Sequence, residues 1–373
     1  MPYITPQGVP LIYTPQRKAR FPFPPQGIPV VVPPLGVWSM FMYDRYHRSV
    51  TNVSASVIYF GCYDYNVYAL NADGTLKWTF DTGGEIELAS PVVDRSGVIY
   101  IGSMNELLNA LNSDGTLKWK FDAEGVVRRS AAVDLTNGII YVGSDAFYIF
   151  AIYPDGREKW RYRTTGEVSS SVTLYNANIY VCDIEGFMYC LAPDATLICR
   201  YYAGDMIDVS TPAIDDYGVI YVGCIDDNLH AINPDCTLKW IFTTKGVITS
   251  TPSIDTSGNI YFGSYDGHLY SVSPDGKLRW YFDTGNIIHG SAALSDGIYF
   301  GDVFGFLYAL YFFGKPEWIY DTGNSIYTTP AIDKDGVIFI GNRGFKMYAF
   351  NPDGTVKWIF VAGEGIDSSA AVV

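Results

Sequence analysis

The sequence predicts an all-β chain, an eight-bladed β-propeller of four-stranded antiparallel blades, closed by its C-terminal strand completing blade 1 and preceded by an extended Pro-rich N-terminal arm. Three observations predict it. A phrase of the form NADGTLKWTF recurs, and aligning it places Trp78, Trp119, Trp160, Cys199, Trp240, Trp280, Trp318 and Trp358 at steps of 41, 41, 39, 41, 40, 38 and 40 residues. An independent marker recurs in phase: VIYFG, VIYIG, IIYVG, NIYVC, VIYVG, NIYFG, GIYFG and VIFIG. Finally, the chain ends in GIDSSAAVV, the opening strand of a repeat with nothing after it, while the first repeat starts at SVIYFG without such a strand. A period near 40 built from short β runs and Gly/Asp turns is the signature of a propeller blade.

Residues 250–282, STPSIDTSGNIYFGSYDGHLYSVSPDGKLRWYF, define the elements of one blade. The inner strand is STPSI, the turn Asp255–Gly258 closes the first hairpin, NIYFG is the second strand, and Tyr265-Asp266-Gly267 turns into the third, HLYSV. Ser273–Gly276 then leads into the outer strand KLRWYF. Pro stands where φ is preset and Gly where φ is positive, so Asp-Gly recurs at fixed offsets. Side chains alternate between the two neighbouring blades, which gives the ring one continuous apolar packing system. Closure requires residues 366–373 to pair with residues 57–61, leaving no open sheet edge between first and last blades. The chain accordingly divides into an extended docking arm (1–37), an entry segment (38–56) and the propeller (57–373).

Composition excludes several function classes. Of 373 residues 48% are hydrophobic and 17% charged, and 30 Tyr, 21 Phe and 8 Trp favour strands over helices. The net charge of −14 is uneven, because residues 1–50 carry Arg17, Lys18, Arg20, Arg45 and Arg48 against the single acid Asp44. An acidic propeller repels phosphate backbones and anionic lipid, so no nucleic acid is expected there. The apolar run 27–43 is broken by Pro29, Pro33 and Pro34, which argues against a membrane span. No charged n-region precedes an apolar h-region at the start, so no signal peptide or lipoprotein leader is expected, and the chain is placed in the cytoplasm or within a virion or other large assembly. Six Cys with no metal-type CxxC fit a reducing compartment.

The segment ALNADGTLKW (69–78) and its copies resemble the tryptophan-docking motif of the pyrroloquinoline-quinone (PQQ) repeat superfamily of eight-bladed propellers, and WSMFMYDRYHRS (38–49) resembles the entry segment before its first blade. The resemblance runs from Trp38 to the end. It implies that Trp78, Trp119, Trp160, Trp240, Trp280, Trp318 and Trp358 each pack against the next blade. Quinoprotein dehydrogenases of the superfamily carry adjacent bonded cysteines above the quinone, a calcium held by Glu, Asn and Asp, and a catalytic Asp on long insertions. Here no two cysteines adjoin and repeats of 38–41 residues leave no room for such insertions. The resemblance therefore points to a non-catalytic member with no cofactor, and fold alone transfers no function. The superfamily also contains a lipoprotein outer-membrane assembly factor, from which the missing leader sets this chain apart.

Three groups of residues are candidate sites. The turns beginning at Asp94, Asp255 and Asp333 lack the further oxygen ligands of a calcium loop and are expected to be Asx-capped hairpins. In blade 4, Cys190 and Cys199 face each other across a hairpin, so a disulfide is geometrically open, the alternative being two thiols filling the space of Ala and Trp; Cys182 and Cys236, in place of glycines, are assigned no chemistry. Residues just before each inner strand face the channel mouth: Glu87, Arg128, Arg129, Asp208, Thr249, His289, Tyr327 and Asp367. They contain no nucleophile beside a base and no metal template, which leaves a peptide or small polar ligand, or a solvated rim.

The sequence thus predicts a non-enzymatic propeller, a scaffold or structural subunit that mediates protein–protein assembly through its arm, as a homo-oligomer or with a protein partner in a shell such as a virion. The arm repeats PQGVPLIYTP (6–15) as PQGIPVVVPP (25–34), and prolines at this density hold an extended chain that loses little entropy on docking. A ligand- or peptide-binding module at the channel mouth is the second reading. A degenerate PQQ-dependent dehydrogenase, needing the quinone and calcium, is the third.

Overall fold

The computed structural model describes residues 55–373; the arm (1–37) and most of the entry segment lie outside them. Eight four-stranded antiparallel sheets form the described residues, and no helix among them is long and apolar enough to cross a membrane. Seven blades run inner to outer in chain order: Val92–Asp122 (blade 2), Ala132–Arg163 (3), Thr173–Tyr202 (4), Ala213–Thr243 (5), Ser253–Asp283 (6), Ala293–Asp321 (7) and Ala331–Val361 (8). Blade 1 takes its three outer strands from Val57–Asp81 and its inner strand from Ala371–Val372, with Ile58 opposite Val372 and Tyr59 opposite Ala371. The closure expected from the two chain ends is thereby the closure observed.

Within each blade the second and third strands are buried on both faces, while the outer strand alternates exposed and half-buried positions. Alternation sends one set of side chains to each neighbouring blade. Ile58, Phe60 and Leu70 of blade 1 pack with Phe339 and Met347 of blade 8, whereas Tyr59, Val67 and Ala69 pack with Ile99, Ile101 and Leu111 of blade 2. Every interface between blades is thus a slab of core.

The repeated decapeptide has a definite task at the rim. In NADGTLKW, Asn71 Nδ2 donates to Thr75 Oγ1 (2.9 Å) and the Thr75 N–H donates to Asp73 Oδ1 (3.0 Å), fixing a turn that needs φ +84° at Gly74. A Cβ on Gly74 would lie 2.6 Å from Cδ2 of Trp358, so glycine serves both the turn and the indole laid across it. Each indole crosses to the next blade in this way and donates Nε1–H to a carbonyl there: Trp78 to Ser113 (3.1 Å), Trp119 to Pro154 (3.0 Å), and so round to Trp358, which reaches Ala72 of blade 1 (2.9 Å).

One junction differs. Where blade 4 meets blade 5, Cys199 stands for the Trp and Cys236 for the Gly beneath it, and the two are joined in a disulfide with Cα atoms 5.9 Å apart. The pairing of Cys199 with Cys190 is therefore corrected: the two are cross-strand neighbours, as the hairpin requires, but Cys190 is a free thiol buried beside Tyr180. Cys236, expected to carry no chemistry, is the true partner, because the contact that Trp and Gly make elsewhere is between blades and not within one.

A second ring closes the inside. The backbone N–H of one residue per inner strand donates to the hydroxyl of its counterpart in the next blade: Ser90 to Ser130 (2.8 Å), Ser130 to Ser171 (3.1 Å), Ser171 to Thr211 (3.2 Å), Thr211 to Thr251 (3.0 Å), Thr251 to Ser291 (2.8 Å), Ser291 to Thr329 (3.2 Å), Thr329 to Ser369 (2.8 Å) and Ser369 to Ser90 (2.9 Å). These N–H groups point along the ring and not into a ladder, so the inner strands are only two or three residues long, shorter than the five-residue strand expected from the sequence. Eight small hydroxyl residues satisfy eight buried donors that would otherwise be orphaned.

Candidate functional site

The antiparallel meander puts two sets of loops on one face: the turns between second and third strands, and the connections from each outer strand to the next inner strand. Both sets line a cavity of about 320 Å³ at the channel mouth. Glu87, Arg128, Arg129, Asp208, His289, Tyr327 and Asp367, all expected there, line it together; Thr249 is buried beside it and does not. Asp145, Glu167 and Arg343 also line it. The repeat register did not reveal them, because Asp145 and Arg343 come from the second-to-third-strand turns, a different loop set from the connections before the inner strands, and Glu167 lies further from its inner strand than the other mouth residues do.

The charges are paired across blades. Arg128 Nη1 meets Glu87 Oε2 at 3.0 Å and its Nε meets Asp145 Oδ2 at 2.6 Å. Arg343 Nη2 and Nε both reach Asp367 Oδ2, at 2.6 and 3.0 Å, and that carboxylate also accepts the Tyr63 hydroxyl at 3.0 Å. The Arg343 guanidinium lies over the Tyr327 ring at 3.8 Å, and Tyr327 meets the His289 ring edge-on at 4.9 Å. Burial, reinforced by Arg129 and Arg343, pushes His289 down to about 4, so its imidazole is neutral at physiological pH.

Arg129 is the exception to this neat pairing. In the position directly before the ring hydroxyl, the other blades carry Ala89, Ser170, Ser210, Ser250, Gly290, Thr328 and Ser368; blade 3 alone carries a long charged side chain. It is nine-tenths buried, with 10% of its side chain exposed, and reaches past blade 4 to Asp208 Oδ1 at 3.2 Å through Nη2 alone. Nε and Nη1 are buried with no acceptor among the described residues, and so is Nδ1 of His289. Burial works against the Arg129 charge while Asp208 supports it.

The partner carboxylate comes from a lengthened connection. From Ile207 to Thr211 there is one residue more than from Val127 to Ser130, and the extra length is taken up by Val209 at φ +68°, with the Ser210 N–H donating to Asp208 O at 2.8 Å. A β-branched residue in this left-handed γ-turn is strained, at about 1–3 kcal/mol. The connection Ile86–Ser90 has the same extra residue and supplies Glu87. Both lengthened connections thus contribute an acid that pairs with the arginine doublet.

The same face carries aromatics in unusual backbone positions. The third position of the second-to-third-strand turn has positive φ in all eight blades: Gly186, Gly267 and Gly305, the acids Glu106 (φ 70°) and Asp227 (φ 67°), and the aromatics Tyr65 (φ 73°), Phe147 (φ 67°) and Phe345 (φ 66°). The three aromatic side chains are 46%, 36% and 44% exposed. Bulky side chains in this region are disfavoured by about 1–2 kcal/mol each.

Elsewhere, the expected Asx turns are present: Asp94 Oδ1 accepts the N–H groups of Ser96 and Val98 at 2.8 and 3.0 Å, and Oδ2 accepts the Tyr100 hydroxyl. Cys224, Asp226 and His230 bring one potential ligand atom each within 4.8 Å. His230, however, occupies the place of Tyr68 and Tyr270, which donate to the corresponding Asp64 and Asp266, and it makes the same contact with Asp226 at 3.1 Å. Cys224 is pushed up to about 12 by burial and its thiol faces the Asp205 and Met206 carbonyls, so the trio is read as the blade's standard hydrogen-bond pair beside a buried thiol.

A family model described as outer membrane protein assembly factor BamB, built on PQQ-like repeats, matches residues 63–167, 104–234 and 265–372, well over half the chain. The chain belongs to the PQQ-like repeat family. No curated protein matches it. Among solved structures it is similar to BamB from Moraxella catarrhalis (17% identity over 82% of this chain and 91% of that one, TM-score 0.64). It also resembles the computationally designed Ika8 protein (11%, 78% and 92%, 0.66) and the quinohemoprotein alcohol dehydrogenase from Comamonas testosteroni (12%, 89% and 74%, 0.71). At these identities the likeness is one of fold. The mouth does not fit the family's quinone: that cofactor is a tricarboxylate, whereas five carboxylates line the cavity against three arginines, each already paired to one or two of them.

Proposed function

We propose that this chain is a non-enzymatic interaction propeller, a rigid ring that presents the channel-mouth face to a protein partner and is tied into a larger assembly by residues 1–37. The observation that carries the reading is the placing of Tyr65, Phe147 and Phe345, half-exposed aromatics held at positive φ on that face where blades 4, 6 and 7 use glycine. Exposed aromatics at a backbone cost serve contact better than folding, since strain of this kind gathers at functional surfaces. Arginines already neutralised by neighbouring carboxylates, with no nucleophile beside a base, suit recognition and not bond-breaking. Assembly through the arm follows from its proline density and its basic charge against an acidic ring, and a virion shell is one setting that would use it.

The native mass of the full chain, compared with that of a chain lacking residues 1–37 and with a Tyr65→Gly/Phe345→Gly chain, tests this. Defined oligomers from the full chain alone support the reading. Identical monomers from all three remove it. A second reading, ligand binding at the mouth, is favoured by the unpartnered donors of Arg129.

A further inference from the structure

The buried guanidinium of blade 3 has a cost that the fold does not require. The same register position is filled by serine in four other blades, where the hydroxyl accepts a backbone N–H of its own blade, as Ser250 does from Gly263 at 2.9 Å and Ser368 from Gly61 at 3.0 Å. Arg129 forgoes that bond and keeps two buried, unpartnered N–H-bearing nitrogens in the wall of the cavity, which His289, with its own unpartnered imidazole nitrogen, also lines. A buried donor without an acceptor costs about 1–3 kcal/mol, more when charged. A guanidinium left with idle donors calls for an acceptor that arrives from outside, and the strongest match is a carboxylate.

The rest of the cavity limits what that carboxylate can be attached to. The carboxylates of Glu87, Asp145, Asp208 and Asp367 are engaged by arginines, but Glu167 has no cationic partner among the described residues and leaves the mouth with an acidic excess. A dianion would be repelled by that excess, and a cation alone would leave Arg129 unsatisfied. A cavity of about 320 Å³ is at the lower end of the range for small-molecule sites.

We propose that the channel mouth binds a free α-amino acid, its carboxylate on the guanidinium of Arg129 and its ammonium group on Glu167. This rests on the second reading above, ligand binding at the mouth, and is independent of assembly through the arm or the aromatics. Arg129 supplies the affinity, the γ-turn at Val209 holds Asp208 against Nη2 so that the guanidinium cannot turn away, and Glu167 selects for a ligand that carries a positive charge.

The test is calorimetry of the full chain with a panel of L-amino acids, with acetate and methylammonium as the half-ligands. At least one amino acid should bind, and neither half-ligand should. Arg129→Ser restores the residue found in blades 4, 5 and 6, so it should fold with thermal stability equal to or above that of the parent chain and abolish binding; Glu167→Gln, at a half-exposed position, should weaken binding roughly tenfold or more. Absence of binding by every amino acid, binding of acetate as tight as that of the amino acid, or full affinity in a folded Arg129→Ser protein would each overturn the proposal. Native mass unchanged by Arg129→Ser leaves the interaction reading intact whichever way the calorimetry falls.

Discussion

The rim of the propeller and its channel mouth follow opposite rules. At the rim the same contact is made at seven of eight blade junctions, an indole laid on a turn with its N–H on the next blade's carbonyl, and even the one exception preserves the contact as a bond between Cys199 and Cys236. At the mouth no two blades agree: the residue two before the ring hydroxyl is Leu88, Arg128, Ser169, Val209, Thr249, His289, Tyr327 and Asp367 in turn. The chain is free to vary at one end of the blades and not at the other. A ring closes only if every junction has the same geometry, so the rim is copied. The mouth carries no such constraint, and there the chain accepts a strained valine, a buried arginine with idle donors and aromatics at positive φ where three other blades carry glycine.

If the rim is what holds the ring, damage there should scale with closure. The largest effect is expected from truncation after Phe360, which removes the inner strand of blade 1 and the hydroxyl of Ser369 from the inner ring. Cooperative thermal unfolding should be lost; a truncated chain melting like the full one would refute the closure. Reducing the Cys199–Cys236 bond opens a loop between residues 37 apart and should cost about 3–4 kcal/mol, read as a fall in Tm that a Cys199→Ser/Cys236→Ser chain no longer shows on adding reductant. Trp119→Ala, at a half-buried indole, should cost about 2–3 kcal/mol by denaturant titration.

The mouth should respond differently, mainly to pH. His289 is held near 4 against an ordinary value of about 6.5, by burial and by the facing Arg129 and Arg343. Its folded form resists protonation while the unfolded chain accepts it, so its contribution is complete above about pH 6.5 and declines as pH falls towards 4, by at most about 1.4 kcal/mol per pH unit. His289→Gln should flatten the stability profile over that window. A profile that keeps its slope there would remove His289 as its source.

Much of this contrast is legible in the sequence. The eight-fold register, the closure by residues 366–373 and the gathering of seven mouth residues all followed from repeat spacing, because spacing dictates which residues share a layer. The bonded pair was misread for a physical reason: Cys190 and Cys199 are neighbours within one hairpin, whereas the contact made by the repeat's Trp lies between blades, and only the position of Gly74 beneath Trp358 reveals that the residue opposite Cys199 is Cys236. Asp145 and Arg343 were missed because a turn's nearness to the channel depends on how far its side chains reach inwards. The meaning of Arg129 was visible only in part, since its register could be read but its unpartnered nitrogens could not.

On the proposed function, the mouth face departs from the repeat for the sake of contact and not of folding. This reading is tested most directly by chemical denaturation of a Tyr65→Gly/Phe147→Gly/Phe345→Gly chain, which restores at three turns the residue that blades 4, 6 and 7 use. Relief of the left-handed strain should offset the added flexibility of glycine, so a stability equal to or above that of the parent chain is predicted. A loss of more than about 1 kcal/mol per site would show that these aromatics hold the ring together, and the division between a copied rim and a free mouth would fall.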